Sequence, residues 1–233
     1  MSFFGDLLKE KSLWVAIGGA LAVYIGTIFL NRYYGPMNSN SAFLPDKTIE
    51  KNNTNTPKNL HLQKPDFILK PDTDYQAVIS TEYGDIRIDL FEKNAPNIVN
   101  NFVYLANNGF YKNMYWHRII TNFLIQTGDP TGKGNGGPGY FVKGDFNSSL
   151  PDYSTGIVGM ANDGNKNHNG SQFFIVASGA DYKYMKDWKN IYPIFGRVIS
   201  GMNIVNKIAS IKANKYGKPS KLVKVYNIQI VEK

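Results

Sequence analysis

The sequence predicts a mainly β domain, a closed barrel with two helices over its ends, held behind an apolar helix and a polar tether. Three observations lead there. Short apolar runs, several of them alternating, recur from Tyr75 onward between Gly-rich turns. Only two stretches of that region carry helical spacing. Residues 12–31 carry no charged side chain at all.

The run SLWVAIGGALAVYIGTIFLN spans about 20 residues, or about 30 Å as a helix, which matches a hydrocarbon core. Trp14 stands at one end and Tyr33 and Tyr34 at the other, where amphipathic rings favour a membrane interface. Lys9 and Lys11 precede the run and Arg32 follows it, so the charge bias places the N-terminus on the cytoplasmic side. A cleaved signal peptide competes with this anchor, but it calls for a shorter apolar stretch and a nearby small-residue cleavage site. The expected organisation is a short segment 1–11, a transmembrane helix 12–31, a flexible tether 32–73 and a folded domain 74–233. The tether assignment follows from its Asn, Thr, Pro and Lys content and its lack of hydrophobic period.

Within the domain, YQAVIST and DIRIDLF alternate around Glu82-Tyr83-Gly84-Asp85 and read as a β-hairpin. NAPNIVNNFVYLANNG has apolar residues at helical spacing, with Asn94 expected as N-cap, Pro96 in the first turn and Gly109 as the stop. Short strands are expected in MYWHRII, NFLIQTG, TGIVGMA, SQFFIVA and YPIFGRVI. A second helix fits GMNIVNKIAS, and KVYNIQIVE is the last strand. Many short strands with two helices predict a closed antiparallel barrel with capped ends.

Composition removes several chemistries. The 233 residues include no cysteine, so disulfides, thiolate metal sites and cysteine nucleophiles are excluded. The three histidines are too scattered for a zinc site. A net charge of +8 fits nucleic acid, an anionic membrane or plain solubility. The cluster Lys212, Lys215, Lys218, Lys221 and Lys224 reads as a solvated turn or an anionic contact. Its only interleaved aromatics are Tyr216 and Tyr226, a poor pattern for nucleic acid. Gly132, Gly134 and Gly137 satisfy G-x-G-x-x-G, yet Pro138 and no helix follows, which argues against a dinucleotide site.

Two blocks carry the function. WHRIITNFLIQTGDPTGKGNGGPG, followed by GIVGMANDGNKNHNGSQFFIVAS, resembles the cyclophilin family of peptidyl-prolyl cis/trans isomerases, with FGRV and GMNIV in order behind them. The resemblance covers about residues 75–232. It implies an eight-stranded antiparallel barrel capped by two α-helices, and catalysis of X–Pro rotation without metal or cofactor. The matched catalytic positions are Arg118, the hydrogen-bond donor, and Gln126, which supports it. Phe123, Leu124 and Phe174 match the proline slot. Leu124 stands where the family often has Met. Gln172, Ala161 and Asn162 match groups that hold the substrate backbone.

The match weakens between Ala177 and Phe195. Tyr192 stands where the family has His. Tyr184 with Met185 is the preferred match to the usual Trp-Leu pair, and Trp188 competes with Tyr184. Those changes imply peptide turnover with weakened binding of cyclosporin-type inhibitors. The implied partners are unfolded or extended Pro-containing polypeptides, and a lipid bilayer through residues 12–31. The isomerase domain is expected on the extracytoplasmic side. The competing reading is a catalytically weak Pro-peptide-binding chaperone or scaffold.

Overall fold

The computed structural model describes residues 62–233. The expected membrane span 12–31 and the first part of the tether lie outside the described residues. Among the described residues no helix is long and apolar enough to cross a membrane.

Nine strands form one antiparallel sheet, in the order β3-β9-β1-β2-β8-β6-β7-β5-β4. In chain order these are β1 Tyr75–Thr81, β2 Gly84–Leu90, β3 Met114–Tyr115, β4 Arg118–Ile120, β5 Leu124–Thr127, β6 Ile157–Met160, β7 Phe173–Val176, β8 Ile194–Ser200 and β9 Lys224–Glu232. Two helices, α1 Pro96–Asn107 and α2 Met202–Ala209, accompany them. The strand count departs from the expected eight because the run around MYWHRII divides. Its first half pairs with β9 and its second with β5. Trp116 and His117 separate the halves, so the two ends of the sheet order are consecutive in the chain. The sheet is thus a curled half-barrel rather than the closed barrel expected, because no β3–β4 ladder joins its two ends.

The main core lies inside this curl. Ile86, Ile88 and Leu90 of β2 alternate inward, as a half-buried strand requires. Phe102 of α1 sits among the rings of Tyr111, Phe173 and Phe195, with centroids 5.4, 5.4 and 5.1 Å away. Helix α2 buries Val205, Ile208 and Ala209 and packs on β2, β4 and β5.

The start of α1 differs from expectation. Ala95, not Asn94, occupies the N-cap, and no side chain of the cap accepts a hydrogen bond. Asp145, from a distant loop, takes the role instead. Its carboxylate accepts from Ile98 N at 3.0 Å and from Asn97 Nδ2 at 2.8 Å. The helix has no acid in its first turn, so this carboxylate also supplies the negative charge that a helix N-terminus favours. Residues 62–70, expected as tether, lie against the domain. Ile68 N donates to Asn100 Oδ1 at 2.7 Å, and Asn100 Nδ2 donates to Asp66 O at 2.9 Å.

Candidate active site

Strand register brings the first residues together. Arg118 of β4 stands opposite Gln126 of β5, Gln126 opposite Phe174 of β7, and Phe174 opposite Gly159 of β6. Directly opposed residues share a sheet face. One residue along each strand, Ile119, Ile125, Phe173 and Ile175 point the other way into the main core. The stretch is therefore buried on both sides, and the outer side holds a second, smaller apolar cluster.

That cluster contains Phe123, Leu124 and Phe174, which are only 3%, 2% and 3% exposed, together with Met185. Tyr153 stacks on Phe174 with centroids 5.6 Å apart. A side chain at Gly159 would meet the Tyr153 hydroxyl and would come within 2.6 Å of Phe174 Cζ, so glycine there makes room for both rings. Trp188 packs edge-to-face on Phe123 at 5.8 Å and on Phe174 at 5.7 Å, and touches Tyr192 at 5.3 Å. Trp188, the competitor in the sequence reading, is therefore the indole that lies against both slot phenylalanines. Tyr184 lies in a 3-10 turn over Tyr182–Met185, and its side chain is outside the described residues.

A polar relay borders the cluster. Arg118 Nη1 donates to Gln126 Oε1 at 3.0 Å. Gln126 Nε2 donates to Gln172 Oε1 at 2.9 Å. Gln172 Nε2 in turn donates to the carbonyls of Gly134 at 3.1 Å and Gly136 at 2.9 Å. The glycine-rich loop thus holds Gln172, and Gln172 holds the glutamine next to Arg118.

The electrostatics follow from burial. Burial lowers the Arg118 pKa from its ordinary value, with the Tyr192 hydroxyl acting weakly the other way. An arginine starts so high that it stays cationic. Burial raises the Tyr192 pKa, opposed by the nearby guanidinium. His117, beside Arg118 in the chain, is pushed down to about 4, first by burial, with Asp129 opposing and Arg118 adding to it. No side chain of the relay titrates near neutral pH.

Two expected residues behave differently from the rest. Ala161 packs against the cluster, and its N–H donates to Gln172 O at 2.9 Å. The Asn162 side chain is turned into its own loop. It donates to Ile191 O at 2.8 Å and Asn169 Oδ1 at 3.1 Å, and accepts from Gly164 N at 2.9 Å. Its amide is used to clip that loop to the segment before Tyr192, which leaves the backbone as its means of holding a peptide. Tyr153 was not singled out in the sequence, where no spacing ties it to Phe174. Its hydroxyl donates to Tyr192 O at 3.0 Å.

Comparison with known proteins finds matches over the folded domain. The family model for "Cyclophilin type peptidyl-prolyl cis-trans isomerase/CLD" matches residues 76–230. "Peptidyl-prolyl cis-trans isomerase-like 1" of Aspergillus niger is 39% identical over 159 residues, covering 67% of this chain and 94% of the relative. "Peptidyl-prolyl cis-trans isomerase 9" of Schizosaccharomyces pombe is 41% identical over 158 residues, covering 66% of this chain and 25% of the relative. A crystal structure of a Cryptosporidium parvum cyclophilin type peptidyl-prolyl cis-trans isomerase aligns with TM-score 0.62 at 33% identity, covering 69% of this chain and 99% of that one. A second crystal structure of that protein, in the presence of the dipeptide Ala-Pro, aligns with TM-score 0.61 at 34% identity, covering 68% and 99%.

Proposed function

The chain belongs to the cyclophilin-type peptidyl-prolyl cis-trans isomerase family, and from that premise we propose that Arg118 and the Phe123–Leu124–Phe174 cluster form its rotamase site. Rotation about an X–Pro bond breaks no covalent bond. It is slow because the imide nitrogen shares its lone pair with the carbonyl, giving a barrier of about 18–20 kcal/mol. In the twisted state that lone pair localises on the proline nitrogen, which becomes a hydrogen-bond acceptor. A donor that meets it only then binds the twisted state more tightly than either planar one, and that difference accelerates the step.

The observation that carries this reading is the relay. One arm of the Arg118 fork is held by Gln126, and Gln126 is itself held by Gln172. The guanidinium is thereby aimed before substrate arrives, beside an apolar cluster suited to a proline ring. The roles follow: Arg118 donates, Gln126 orients it, and Phe123, Leu124 and Phe174 receive the ring. Gln172 and the backbone at Ala161 and Asn162 hold the flanking peptide, while Met185, Tyr192 and the segment around Tyr184 line the far side. The Cryptosporidium parvum relative studied in the presence of Ala-Pro supports a proline-containing ligand.

Clients are extended or unfolded Pro-containing polypeptides. Residues 12–31 anchor the chain in a bilayer, the stretch 32–61 tethers it, residues 62–70 lie against the domain, and that domain works outside the cytoplasm. The uncharged run 12–31 supports the anchor. Cyclosporin-type ligands bind weakly, because the stretch between Ala177 and Phe195 departs from the family pattern, with Tyr192 where the family has His. The test is NMR exchange spectroscopy of an Ala-Pro peptide with catalytic amounts of the full-length chain. Cis-to-trans exchange should accelerate in proportion to protein. Binding without acceleration would replace the enzyme by a Pro-peptide-binding scaffold. A reporter fused after residue 60 tests the topology, and activity of a cytoplasm-restricted reporter there would reverse it.

A further inference from the structure

The geometry points to Gly217 as a positioning residue for Arg118, an assignment that rests on the isomerase reading above. Gly217 lies in the lysine-rich loop between α2 and β9, far from the cleft in sequence. It is buried, whereas Lys215, Tyr216 and Lys218 around it are exposed. A Cβ at this position would stand 2.9 Å from Arg118 Cγ, 3.4 Å from Arg118 Nε and 3.3 Å from Ile119 O. Carbon atoms in contact prefer about 3.5–4.0 Å. The bare backbone of Gly217 is thus the surface on which the aliphatic stem of Arg118 lies.

That surface is fixed on both sides. Ile119 N, the residue after Arg118, donates to Gly217 O at 2.8 Å. The loop is closed by its own bonds: Gly217 N donates to Asn214 O at 2.9 Å, and Asn214 N to Lys218 O at 3.0 Å. Tyr216 N and Lys218 N both donate to Asn214 Oδ1, at 2.9 and 3.0 Å. Arg118 is accordingly held twice, its head by Gln126 and its stem by Gly217. Fixing a long side chain in advance is what a positioned donor requires, and a displacement of about 1 Å can cost as much as about a hundredfold in rate.

Gly217 also has φ +84°, so a turn requirement alone would call for glycine. The two explanations separate by substitution. Asn tolerates left-handed backbone better than other side chains do, yet it carries the Cβ that meets Arg118. Gly217→Asn and Gly217→Ala are made in the full-length chain, each with Arg118 and with Arg118→Ala. Both are expected to lower kcat/KM about tenfold, mainly in kcat. In the Arg118→Ala background the loss should shrink below about twofold, because no guanidinium remains to be displaced. Wild-type turnover in Gly217→Asn, or an equal loss in both backgrounds, overturns the proposal.

A second readout needs no turnover. The ¹⁵N–¹H resonance of Arg118 Nε should shift in Gly217→Asn at a temperature where circular dichroism shows the fold intact. An unmoved resonance overturns the positioning role. A shifted resonance in a protein without isomerase activity supports the positioning role and refutes the isomerase reading alone.

Discussion

Replacing Arg118 by lysine separates charge from shape. The guanidinium has five N–H donors in a rigid fork. One nitrogen donates to Gln126 Oε1 at 3.0 Å, and the proposed reaction asks the same fork to meet an imide nitrogen as well. A lysine has one nitrogen at the end of a flexible stem, so it cannot hold both partners with the same geometry. The interaction at stake is a hydrogen bond from a charged donor, worth about 1.5–3 kcal/mol. At about 1.36 kcal/mol per decade this is roughly a 10- to 150-fold loss. The acceptor exists only in the twisted state, so kcat and kcat/KM should fall together while peptide affinity changes little. The assay is NMR exchange spectroscopy on an Ala-Pro peptide, with affinity from a separate titration. Arg118→Lys within twofold of wild type would show that a point charge suffices, and a loss confined to KM would move Arg118 to ground-state binding. The variant should also lose activity as pH rises toward 9, because burial that lowers an arginine pKa here lowers a lysine from a starting value of only about 10.4.

Three further predictions concern stability. The folded pKa of His117 is depressed from 6.5 to about 4 by burial, so the unfolded chain binds more protons between these values. The contribution of this group is complete above the unfolded pKa and is lost as pH falls through that window, by about 3 kcal/mol in all. Urea melts at about pH 7 and pH 4.5 should show a smaller acid loss in His117→Gln than in wild type, and equal losses would remove His117 as the cause. Trp188→Ala should cost about 2 kcal/mol, less than a fully buried ring, because the indole packs on Phe123, Phe174 and Tyr192 while remaining partly exposed; an unchanged denaturant midpoint would contradict that packing. Asp145→Ala should cost about 1–2 kcal/mol through loss of the Ile98 and Asn97 bonds, read as a lower Tm, whereas Asn94→Ala should have little effect.

What could be read from the sequence followed local rules. Alternation located β2, whose burial follows it, and helical spacing located α1 and α2, whereas β1 reads as alternating but is buried along nearly its whole length. Arg118 and Gln126 were picked out by the family resemblance of their sequence block rather than by any local period. The structure places them opposite each other across a short antiparallel turn. The cap of α1 was not readable, since Asp145 comes from another loop and Asn94 merely had the right chemistry nearby. The division of β3 from β4 was hidden as well. Nothing in a continuous apolar run states that its halves pair with different strands. Between Ala180 and Tyr192 the chain forms two 3-10 turns, which impose no lasting apolar period, so Trp188 could not be ranked above Tyr184. Gly217 reads locally as a turn glycine between lysines; its contact with Arg118 exists only in three dimensions.

The relay also explains why a glycine-rich loop of dinucleotide spacing serves a different purpose here. An arginine can only donate. Gln126 must therefore turn its oxygen toward Arg118, which leaves its nitrogen for Gln172. Gln172 must accept with its oxygen and donate onward, so the loop has to offer carbonyls, and those of Gly134 and Gly136 do so. A loop that binds phosphate needs the opposite polarity, with N–H groups aimed outward. Those groups are already engaged: the Asp129 carboxylate accepts from Thr131 N and Thr131 Oγ1 at 2.7 and 2.8 Å, and from Gly134 N at 2.5 Å. Burial alone would raise that carboxyl, but its hydrogen bonds with Thr131 and Gly136 and the nearby His117 bring it below its ordinary value. It is therefore an anion at neutral pH, occupying the place an external phosphate would need. The cation at one end of the relay and the anion under the loop at the other fix the direction of every hydrogen bond between them, and the same glycine spacing becomes a wall that aims an arginine.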